Sequence, residues 1–489
     1  MIKEAFCALL IHLCAIALSC AVYFIFVPIF FIIFLWRLFV QVAAQILRPD
    51  LDSIVSARDA FFVHDDNNKS QDEIVISFVV NNSVSEHRIR EMFQQRVFNL
   101  KDSDGLLAYK RLLQYWTRFW GYSFWKTDED FDVCNHVRKF DYNKLGLPSP
   151  TNESLIKSVL PKLRDISWKP SRSHWETLIV SSYEFNNNSK SESVSKNCTL
   201  LIFRFDHFLL DGLSAISLFR VLFQSEFKIP RPRRNERKLS ILERVVVLIY
   251  LPLHILKPIL FTRRHLSTRA DSGQLIYDFS ENIPVSLVKK IKDAHGVGFP
   301  AVGTSAINAS ICRCLKQGGK NAPPSLDVIS VLAHPDHTGV MCNYGILAKG
   351  NFPLEATSSA DRLRQTDTVS KHISVDVGLS AKANVVVLLG LLPAAVAGKI
   401  FSSAFKHGPG YMIGPLPTTT SAEYVDDVEI VDVFGFAILR SGLEMNIYTW
   451  GVNNQQRFNF LVDKNVFGDD SNIGHVFTEE LKKLTTTEL

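Results

Sequence analysis

The chain has 489 residues and a formal net charge of +5 at neutral pH. This length accommodates two domains of ordinary size with well-buried cores. A net charge this small for the length does not suggest a nucleic-acid-binding protein. The eight cysteines lack the spacing of a metal site, which argues against a zinc-binding class.

The amino-terminal segment Ala5–Trp36 contains no Asp, Glu, Lys or Arg. About 20 apolar residues suffice to cross a bilayer, so this longer run predicts a transmembrane anchor within residues 1–48. Arg37 and Arg48 follow it, and the positive-inside rule then places the rest of the chain in the cytosol. Pro28 leaves a kinked span or a shallow hairpin in one leaflet as alternatives, and a cleaved signal peptide is a further one.

The region after the anchor shows strand-like and helix-like patterns in alternation, which indicates an α/β fold. The aromatic-rich stretch Leu107–Trp125 is predicted to be helical. The other predicted elements are the strands Glu73–Val80, Trp175–Tyr183 and Thr199–Phe205, the helix Ser85–Leu100, and the polar loop Asn186–Asn197.

The most informative stretch begins after the strand Thr199–Phe205. His207 is followed by Asp211 and Gly212, and Leu213–Phe223 carries apolar residues at helical spacing. His207 therefore lies where a strand enters a tight turn, and glycine permits the backbone bend. The unperturbed pKa of histidine is about 6.5, so His207 is a candidate general base at neutral pH.

The second half of the chain contains three further informative segments. The basic, proline-containing stretch Lys228–Lys238 precedes the apolar segment Val245–Phe261. This pair indicates either docking on an anionic membrane surface or a solvated linker followed by a buried helix. Val302–Leu315 is helix-like and carries Asn308, and Val385–Ile400 is predicted to be core or the wall of a tunnel rather than a membrane segment.

The order of these motifs resembles the wax ester synthase and diacylglycerol acyltransferase family of the CoA-dependent acyltransferase superfamily. The family motif is His-His-x-x-x-Asp-Gly, and this chain has Asp206 in place of the first histidine. The resemblance runs from about Ser53 to Leu484. Other segments similar to family motifs are Ser56–Phe62, Phe131–Val137, Ser171–Glu176, Asn308-Ala309 and Cys342–Gly345.

The resemblance implies two similar α/β acyltransferase domains with the active site between them. It places them at residues 49–227 and 273–489, joined by the linker 228–272. It also implies direct acyl transfer in a ternary complex, with acyl-CoA as co-substrate and no cofactor. His207 would be the base, and Gly212, Trp175 and Asn343 would contribute to substrate binding.

Two further site residues have alternative roles. Asp211 could orient His207, as the acid of a catalytic triad does. The superfamily favours a different role, in which this aspartate holds the loop through an arginine. The Asn308 amide could donate to a developing oxyanion, or it could be a buried amide satisfied by its neighbours.

The expected function is a membrane-anchored O-acyltransferase that forms wax esters or triacylglycerol from acyl-CoA and a long-chain alcohol or diacylglycerol. The expected location is the endoplasmic reticulum, with a lipid droplet or the plasma membrane as alternatives. Asp206, Ala309 and His174-Trp175 depart from the family pattern, which leaves a catalytically weak or inactive relative that binds lipid or acyl-CoA at membranes as the alternative. The absence of Gly-x-Ser-x-Gly argues against a serine hydrolase. No metal is expected, because His334–His337 is more typical of a polar loop.

Overall fold

The computed structural model of the chain describes most of the protein. The described residues are 2–60, 62, 72–185, 197–230, 240–261, 266, 272–374, 386–406, 409–438, 443–468 and 472–486. Most of the predicted polar loop Asn186–Asn197 and of the basic stretch Lys228–Lys238 lies outside these residues.

The chain begins with one long helix, α1 (Ile2–Leu47). It continues through Pro28 without a turn, so the hairpin alternative does not apply to its described residues. By length and composition, its part Ile16–Leu47 is able to cross a membrane. The predicted apolar anchor segment is therefore a single continuous helix.

The carboxyl-terminal turns of α1 pack against the rest of the protein. Val40 is buried in a small apolar cluster with Phe124. Arg37 Nη2 donates to the carbonyl oxygen of Val55 at 2.7 Å, and the guanidinium lies 5.2 Å from the centre of the Tyr122 ring. These contacts fix the end of α1 to the folded body.

The first half of the body consists of short helices and strands. These are β1 (Ser53–Ile54), α2 (Ala57–Ala60), β2 (Glu73–Val80), α3 (Glu86–Met92), β3 (Gln114–Phe119), β4 (Tyr122–Thr127), α4 (Val133–His136), β5 (Val137–Lys139), β6 (Thr151–Asn152), α5 (Glu153–Val159), β7 (Trp175–Glu184), β8 (Cys198–Asp206), α6 (Gly212–Phe223) and α7 (Ile241–Phe261). The predicted strands correspond to β2, β7 and β8. The predicted helix Ser85–Leu100 is α3, continued by the π-helical turn Phe93–Phe98.

The prediction of a helix over Leu107–Trp125 is wrong. Apart from a 3-10 turn at Lys110–Leu113, this stretch enters the hairpin β3–β4. Trp120 and Gly121 at its tip have φ values of +46° and +85°, as a two-residue type I′ turn requires. Aromatic side chains favour a pleated backbone, and this stretch is rich in them.

The second half contains the longer elements of the body. These are β9 (Leu275–Phe279), β10 (Ile283–Pro284), α8 (Val285–His295), α9 (Phe299–Gln317), β11 (Ser325–Ala333), β12 (Gly345–Pro353), α10 (Ser359–Ser374), α11 (386–390), α12 (Ala394–Lys406), β13 (Tyr411–Thr418), β14 (Glu423–Val425), β15 (Val428–Ile438), β16 (Met445–Val452), β17 (Gln455–Asp463), α13 (Lys464–Phe467) and α14 (Ile473–Thr486). The predicted helix Val302–Leu315 lies within α9.

Two seven-stranded sheets organise the described body. The first has the order β14-β15-β2-β8-β7-β5 with β6 beside β7, and the second has the order β10-β17-β16-β13-β11-β12 with β9 beside β17. The predicted α/β class with two sheet-containing bodies is thus confirmed. Strand β15 comes from the second half of the chain but pairs antiparallel with β2. The hairpin β14–β15 therefore completes the first sheet and ties the two halves together.

Helix α7 packs beside the candidate membrane span. Tyr23 Oη donates to the carbonyl oxygen of Leu248 at 2.6 Å, and Ser19 Oγ donates to that of Ile249. Apolar side chains on its described turns, such as that of Ile241, are exposed. These exposed side chains do not fit a buried helix.

Candidate active site

A cavity of about 460 Å³ lies between the two sheets, which is a volume typical of small-molecule sites. Strands β2 and β15 of the first sheet and β11, β12, β13 and β16 of the second contribute to its wall. Its polar lining groups include His207, Asp211, Asn343 and Arg58. The apolar lining residues are Phe62, Ile74, Ile76, Leu213, Val331, Leu332, Leu347, Val386, Val387, Met412, Leu416, Phe436 and Trp450.

His207 directly follows β8 and is held from three sides. Its backbone N–H donates to the carbonyl oxygen of Asp72 at 2.9 Å. Its ring stacks on Phe62, with 4.3 Å between the ring centres and 6° between the planes. Its Nδ1 lies 3.0 Å from Asn343 Oδ1. The imidazole therefore has a fixed orientation at the cavity wall.

The Asn343 amide decides which nitrogen of His207 carries the proton. Asn343 Nδ2 donates to Asp59 Oδ1 at 3.2 Å and to the carbonyl oxygen of Phe208 at 3.1 Å. The amide oxygen that faces His207 can only accept, so Nδ1 of the neutral imidazole must be the donor. The lone pair is then on Nε2, and this tautomer leaves Nε2 free to take a proton.

Asp59 fixes Asn343 in turn. The backbone N–H of Asn343 donates to Asp59 Oδ1 at 3.0 Å. Asp59 Oδ2 lies 2.9 Å from Arg111 Nη2 and accepts a hydrogen bond from Ser56 Oγ at 2.6 Å. A buried, charge-balanced carboxylate thus supports the amide that positions the imidazole. We refer to these three side chains as the Asp59–Asn343–His207 relay.

The surroundings of His207 keep it neutral. Burial is the largest influence and lowers the pKa of His207 below its usual value, although its backbone carbonyl, the Asp211 charge and the Asn343 bond raise it. The neutral form therefore dominates at pH 7, and this is the form that can accept a proton.

Asp211 stabilises the turn after His207, and the hydrogen bonds of its side chain go to His337, Ser214 and Tyr344. It accepts hydrogen bonds from His337 Nε2 and from the backbone N–H groups of Ser214 and Tyr344, each at 2.9 Å. The bond from Ser214 caps α6. Burial by itself raises the pKa of Asp211, but the bond from His337 and the other bonds outweigh it and lower that pKa.

These contacts agree with the loop-holding role of Asp211 and change its partner. The resemblance implied that an arginine pairs with Asp211. Among the described residues, the side chain that does so is His337. The backbone N–H of Gly339 donates to His337 Nδ1 at 2.9 Å, so Nε2 carries the proton that Asp211 accepts. The triad-like alternative for Asp211 is not supported, since the side chain that holds His207 Nδ1 is Asn343.

Gly212 lines the cavity, and its lack of a side chain allows a close approach. A Cβ at this position would lie 2.8 Å from Leu416 Cδ2. Leu416 belongs to β13 of the second sheet, so the glycine lets the two halves of the cavity wall meet.

Asp206, which replaces the first histidine of the His-His-x-x-x-Asp-Gly motif, contacts His174, which departs from a different family segment, Ser171–Glu176. Its Oδ2 lies 3.1 Å from His174 Nδ1, and both side chains are buried. The His174 ring stacks on Trp168, with 5.5 Å between the ring centres. An imidazole absent at position 206 is therefore present at position 174, within hydrogen-bond distance of the new carboxylate.

Two of the predicted site residues are not among the described residues that line the cavity. Trp175 is buried in β7, and its Nε1 donates to the carbonyl oxygen of Leu112 at 2.8 Å. Asn308 donates from Nδ2 to the carbonyl oxygen of Pro353 at 3.0 Å and accepts from Tyr411 Oη at 2.7 Å. Its helix α9 packs into the core of the second sheet, so the amide is satisfied by its neighbours.

The structure adds two residues that the sequence did not single out. Asp59 belongs to the motif Ser56–Phe62, which carried the family resemblance without a role for the carboxylate. His337 belongs to His334–His337, which was interpreted as a polar loop. The sequence contained both residues, but each lay in a segment that had been interpreted in another way. The spacing of a residue along the chain does not reveal which distant group it contacts.

We expect Asn343→Leu to lower kcat about 10- to 100-fold with little change in KM, because the imidazole becomes charged as it takes the proton and a hydrogen bond to a charged group is worth about 1.5–3 kcal/mol. The loss of the acceptor frees the His207 ring and removes the tautomer preference. Steady-state kinetics at matched folded protein measures this. Asn351→Leu, at an exposed asparagine, is the control, and equal kcat for both variants would contradict the relay.

A pH effect on stability is expected from His136. Burial lowers the pKa of this residue to about 4, whereas an unfolded histidine titrates near about 6.5. The unfolded state therefore binds a proton that folded His136 refuses, and stability falls as the pH drops through this window. His136→Phe should remove about 2 kcal/mol of the stability difference between pH 7 and pH 5.

Urea unfolding at these two pH values measures the His136 effect. The aromatic replacement keeps a ring beside Phe131 and Trp175, on which the imidazole stacks. His87→Phe, at an exposed histidine, is the control. An unchanged pH dependence in His136→Phe would show that this histidine takes up its proton without unfolding.

Comparison by sequence gives no match to a protein-family model or to a curated protein. Comparison of structures does give matches. A wax ester synthase/diacylglycerol acyltransferase from Marinobacter aquaeolei VT8 superposes with a TM-score of 0.60 at 14% identity, covering 89% of this chain and 99% of that one. A trichothecene 15-O-acetyltransferase from Fusarium sporotrichioides has a TM-score of 0.57 at 9% identity, covering 88% and 94%.

A third similar structure is the first condensation domain of the CDA synthetase, with a TM-score of 0.54 at 11% identity and coverage of 89% and 96%. At such identities the likeness shows the fold. The chain has the fold that these proteins share, and the resemblance predicted from the motifs is confirmed at that level.

Proposed function

We propose that this protein is a membrane-anchored O-acyltransferase that moves a fatty acyl group from acyl-CoA to a lipid alcohol, with His207 as the general base. The observation that carries the proposal is the Asp59–Asn343–His207 relay, which presents a neutral imidazole to a largely apolar cavity. The shared acyltransferase fold supports the reaction class.

The proposed reaction is the attack of the lipid hydroxyl on the acyl-CoA thioester, with His207 as the proton acceptor. The acceptor hydroxyl oxygen attacks the thioester carbonyl carbon while its proton passes to His207 Nε2. The tetrahedral intermediate then collapses, the carbon–sulfur bond breaks, and the imidazolium returns the proton to the departing CoA sulfur. A base that is matched to neutral pH contributes about 10²- to 10⁴-fold in such a step.

The cavity lining supports a lipid acceptor. Its wall is mostly apolar, and an apolar wall favours alkyl chains and excludes the water that would hydrolyse the thioester. Long-chain alcohols and diacylglycerol both fit this chemistry, giving wax esters or triacylglycerol. Acyl-CoA is the co-substrate, and no other cofactor is part of the proposal.

The alternative is a catalytically weak relative that binds lipid or acyl-CoA at membranes. Three sequence departures motivated it, and two of them, Asp206 and His174, are partners in one buried contact. The third, Ala309, is buried on α9 and is not among the described residues that line the cavity. None of these three departures replaces a polar group of the cavity wall. Their positions therefore favour the active enzyme over the lipid-binding alternative.

Ester formation by the full-length chain in detergent tests the proposal. Labelled acyl-CoA is offered with a long-chain alcohol, with diacylglycerol and with a sterol, and the neutral lipids are separated. The proposal expects ester with at least one lipid alcohol. Binding of acyl-CoA without ester from any acceptor would support the lipid-binding alternative.

We also expect α1 to anchor the protein. Alkaline carbonate should leave the full-length protein in the membrane pellet, because Ile16–Leu47 is long and apolar enough to span. A chain that starts at Arg37 keeps the turns of α1 that pack on the body and should be extracted. Retention of this shortened chain after carbonate would contradict the anchor assignment.

A further inference from the structure

Exposed apolar side chains from separate parts of the chain lie next to one another around the end of α1. Trp36 and Phe39 of α1 stack on Trp120, with 6.3 Å and 6.0 Å between the ring centres. All three rings are exposed although they contact one another. Trp120 is at the tip of the hairpin β3–β4, where the turn directs it away from the core.

The segment 386–400 continues this apolar surface. Its residue Ala394 donates its N–H to the carbonyl oxygen of Gly121 at 3.0 Å, directly beside Trp120. The side chains of Leu388, Val396 and Ile400 are exposed. Val396 and Ile400 are four residues apart on α12 and so share one face. We call the side chains of Trp36, Phe39, Trp120, Leu388, Val396 and Ile400 the apolar rim.

The apolar rim is directly connected to α1. Arg37 Nη1 lies 3.5 Å from the carbonyl oxygen of Gly390, and Tyr122 Oη donates to that of Leu391 at 3.3 Å. About 20 residues of helix cross the hydrocarbon core, so a span from Ile16 reaches the interface near Trp36. Aromatic side chains are favoured at this depth.

The same segment forms part of the cavity wall. Val386 and Val387 line the cavity, while the adjacent Leu388 is exposed. A Cβ on Gly390 would lie 1.6 Å from the carbonyl oxygen of Ala57, so α11 packs tightly against the α2 turn that contains Asp59. Residues 386–390 thus separate the cavity from the surface beside the apolar rim.

We propose that the apolar rim rests in one leaflet of a lipid bilayer and that the water-insoluble acceptor reaches the cavity from that leaflet, past residues 386–390. The bilayer is the partner because the surface is continuous with a candidate span and carries aromatic rings at its end. The path of the acceptor rests on the proposed acyltransferase function, whereas the contact between the rim and the bilayer is independent of it.

Lipid contact is tested without an activity measurement. The full-length protein is reconstituted in phosphatidylcholine vesicles whose acyl chains carry bromine close to the headgroup, which quenches nearby tryptophan fluorescence. The wild-type protein should lose more fluorescence than Trp120→Phe, because Trp120 is one of the quenched rings. Equal quenching in the two proteins would overturn the membrane placement of the rim.

The path of the acceptor is tested with two alcohols. One is a long-chain alcohol embedded in the vesicles, and the other is a short alcohol dissolved in water. Trp120→Glu and Ile400→Glu should each lower ester formation from the embedded alcohol by about tenfold, the effect of moving a carboxylate into the interface. Ester formation from the dissolved alcohol should stay unchanged.

Tyr424→Glu is the matched control, because Tyr424 on β14 is 44% exposed and Trp120 is 47% exposed. An equal loss with both alcohols, or the same loss in the control, would overturn the proposed path. If the wild-type protein makes no ester from these alcohols, from diacylglycerol or from a sterol, the proposed function fails, and the quenching measurement alone decides the membrane contact of the rim.

Discussion

His207→Ala is expected to lower ester formation by about 10²- to 10⁴-fold while the protein remains folded and membrane-bound. The imidazole is the group that the Asp59–Asn343–His207 relay positions, and its removal leaves the acceptor hydroxyl without a base. The alanine loses the stacking on Phe62 and one hydrogen bond to Asn343, which is a small part of the body's packing.

The measurement is kcat with labelled acyl-CoA and the best acceptor, at protein amounts matched by folded fraction. The wild-type rate should also fall on acidification, because protonation removes the base. Burial lowers the pKa of His207, so the midpoint of the acid limb of kcat/KM should lie below about 6.5. Equal ester formation by wild type and His207→Ala would contradict the mechanism.

Asp211→Ala is expected to act on stability as well as on rate. The carboxylate accepts from His337, caps α6 through Ser214, and holds Tyr344. Each buried donor that is left without an acceptor costs about 1–3 kcal/mol. The loss should displace the loop that carries Asn343, so kcat falls even in the fraction that remains folded.

A double-mutant cycle separates these contributions. Asp211→Ala, His337→Ala and the double variant are compared by urea unfolding, and the pair should show a coupling energy of about 1–3 kcal/mol. Asp211→Asn keeps an oxygen that can cap α6, so its loss of stability should be smaller. Additive effects of the two alanine substitutions would show that His337 is not the partner that holds Asp211.

The local structure around His207 was predictable because its causes are local. The β-prone run of β8, the glycine after Asp211 and the apolar spacing of α6 act over a few residues each. Asp211 as the residue before a helix is a preference of the same kind. The hairpin β3–β4 shows the limit, because its aromatic-rich stretch was predicted to be helical, whereas β4 pairs with β1 and β3 in the structure.

The partners of the site residues were decided by long-range pairing. His207 and Asn343 are 136 positions apart, and Asn343 and Asp59 are 284 apart. Asn308 illustrates the converse, because its amide suits an oxyanion site, but α9 places it against Pro353 and Tyr411. No periodicity specifies which distant groups meet, since that depends on how the sheets and helices pack.

The sequence by itself determined the apolar amino-terminal helix, the strand–turn–helix around His207 and the α/β class, because hydrophobic periodicity and turn chemistry act within short windows of the chain. The tertiary structure alone decided that Asn343 selects the tautomer of His207, that His337 holds Asp211, and that the apolar rim borders the cavity wall. The physical reason is that hydrogen bonds and buried charges are satisfied by groups that packing brings together.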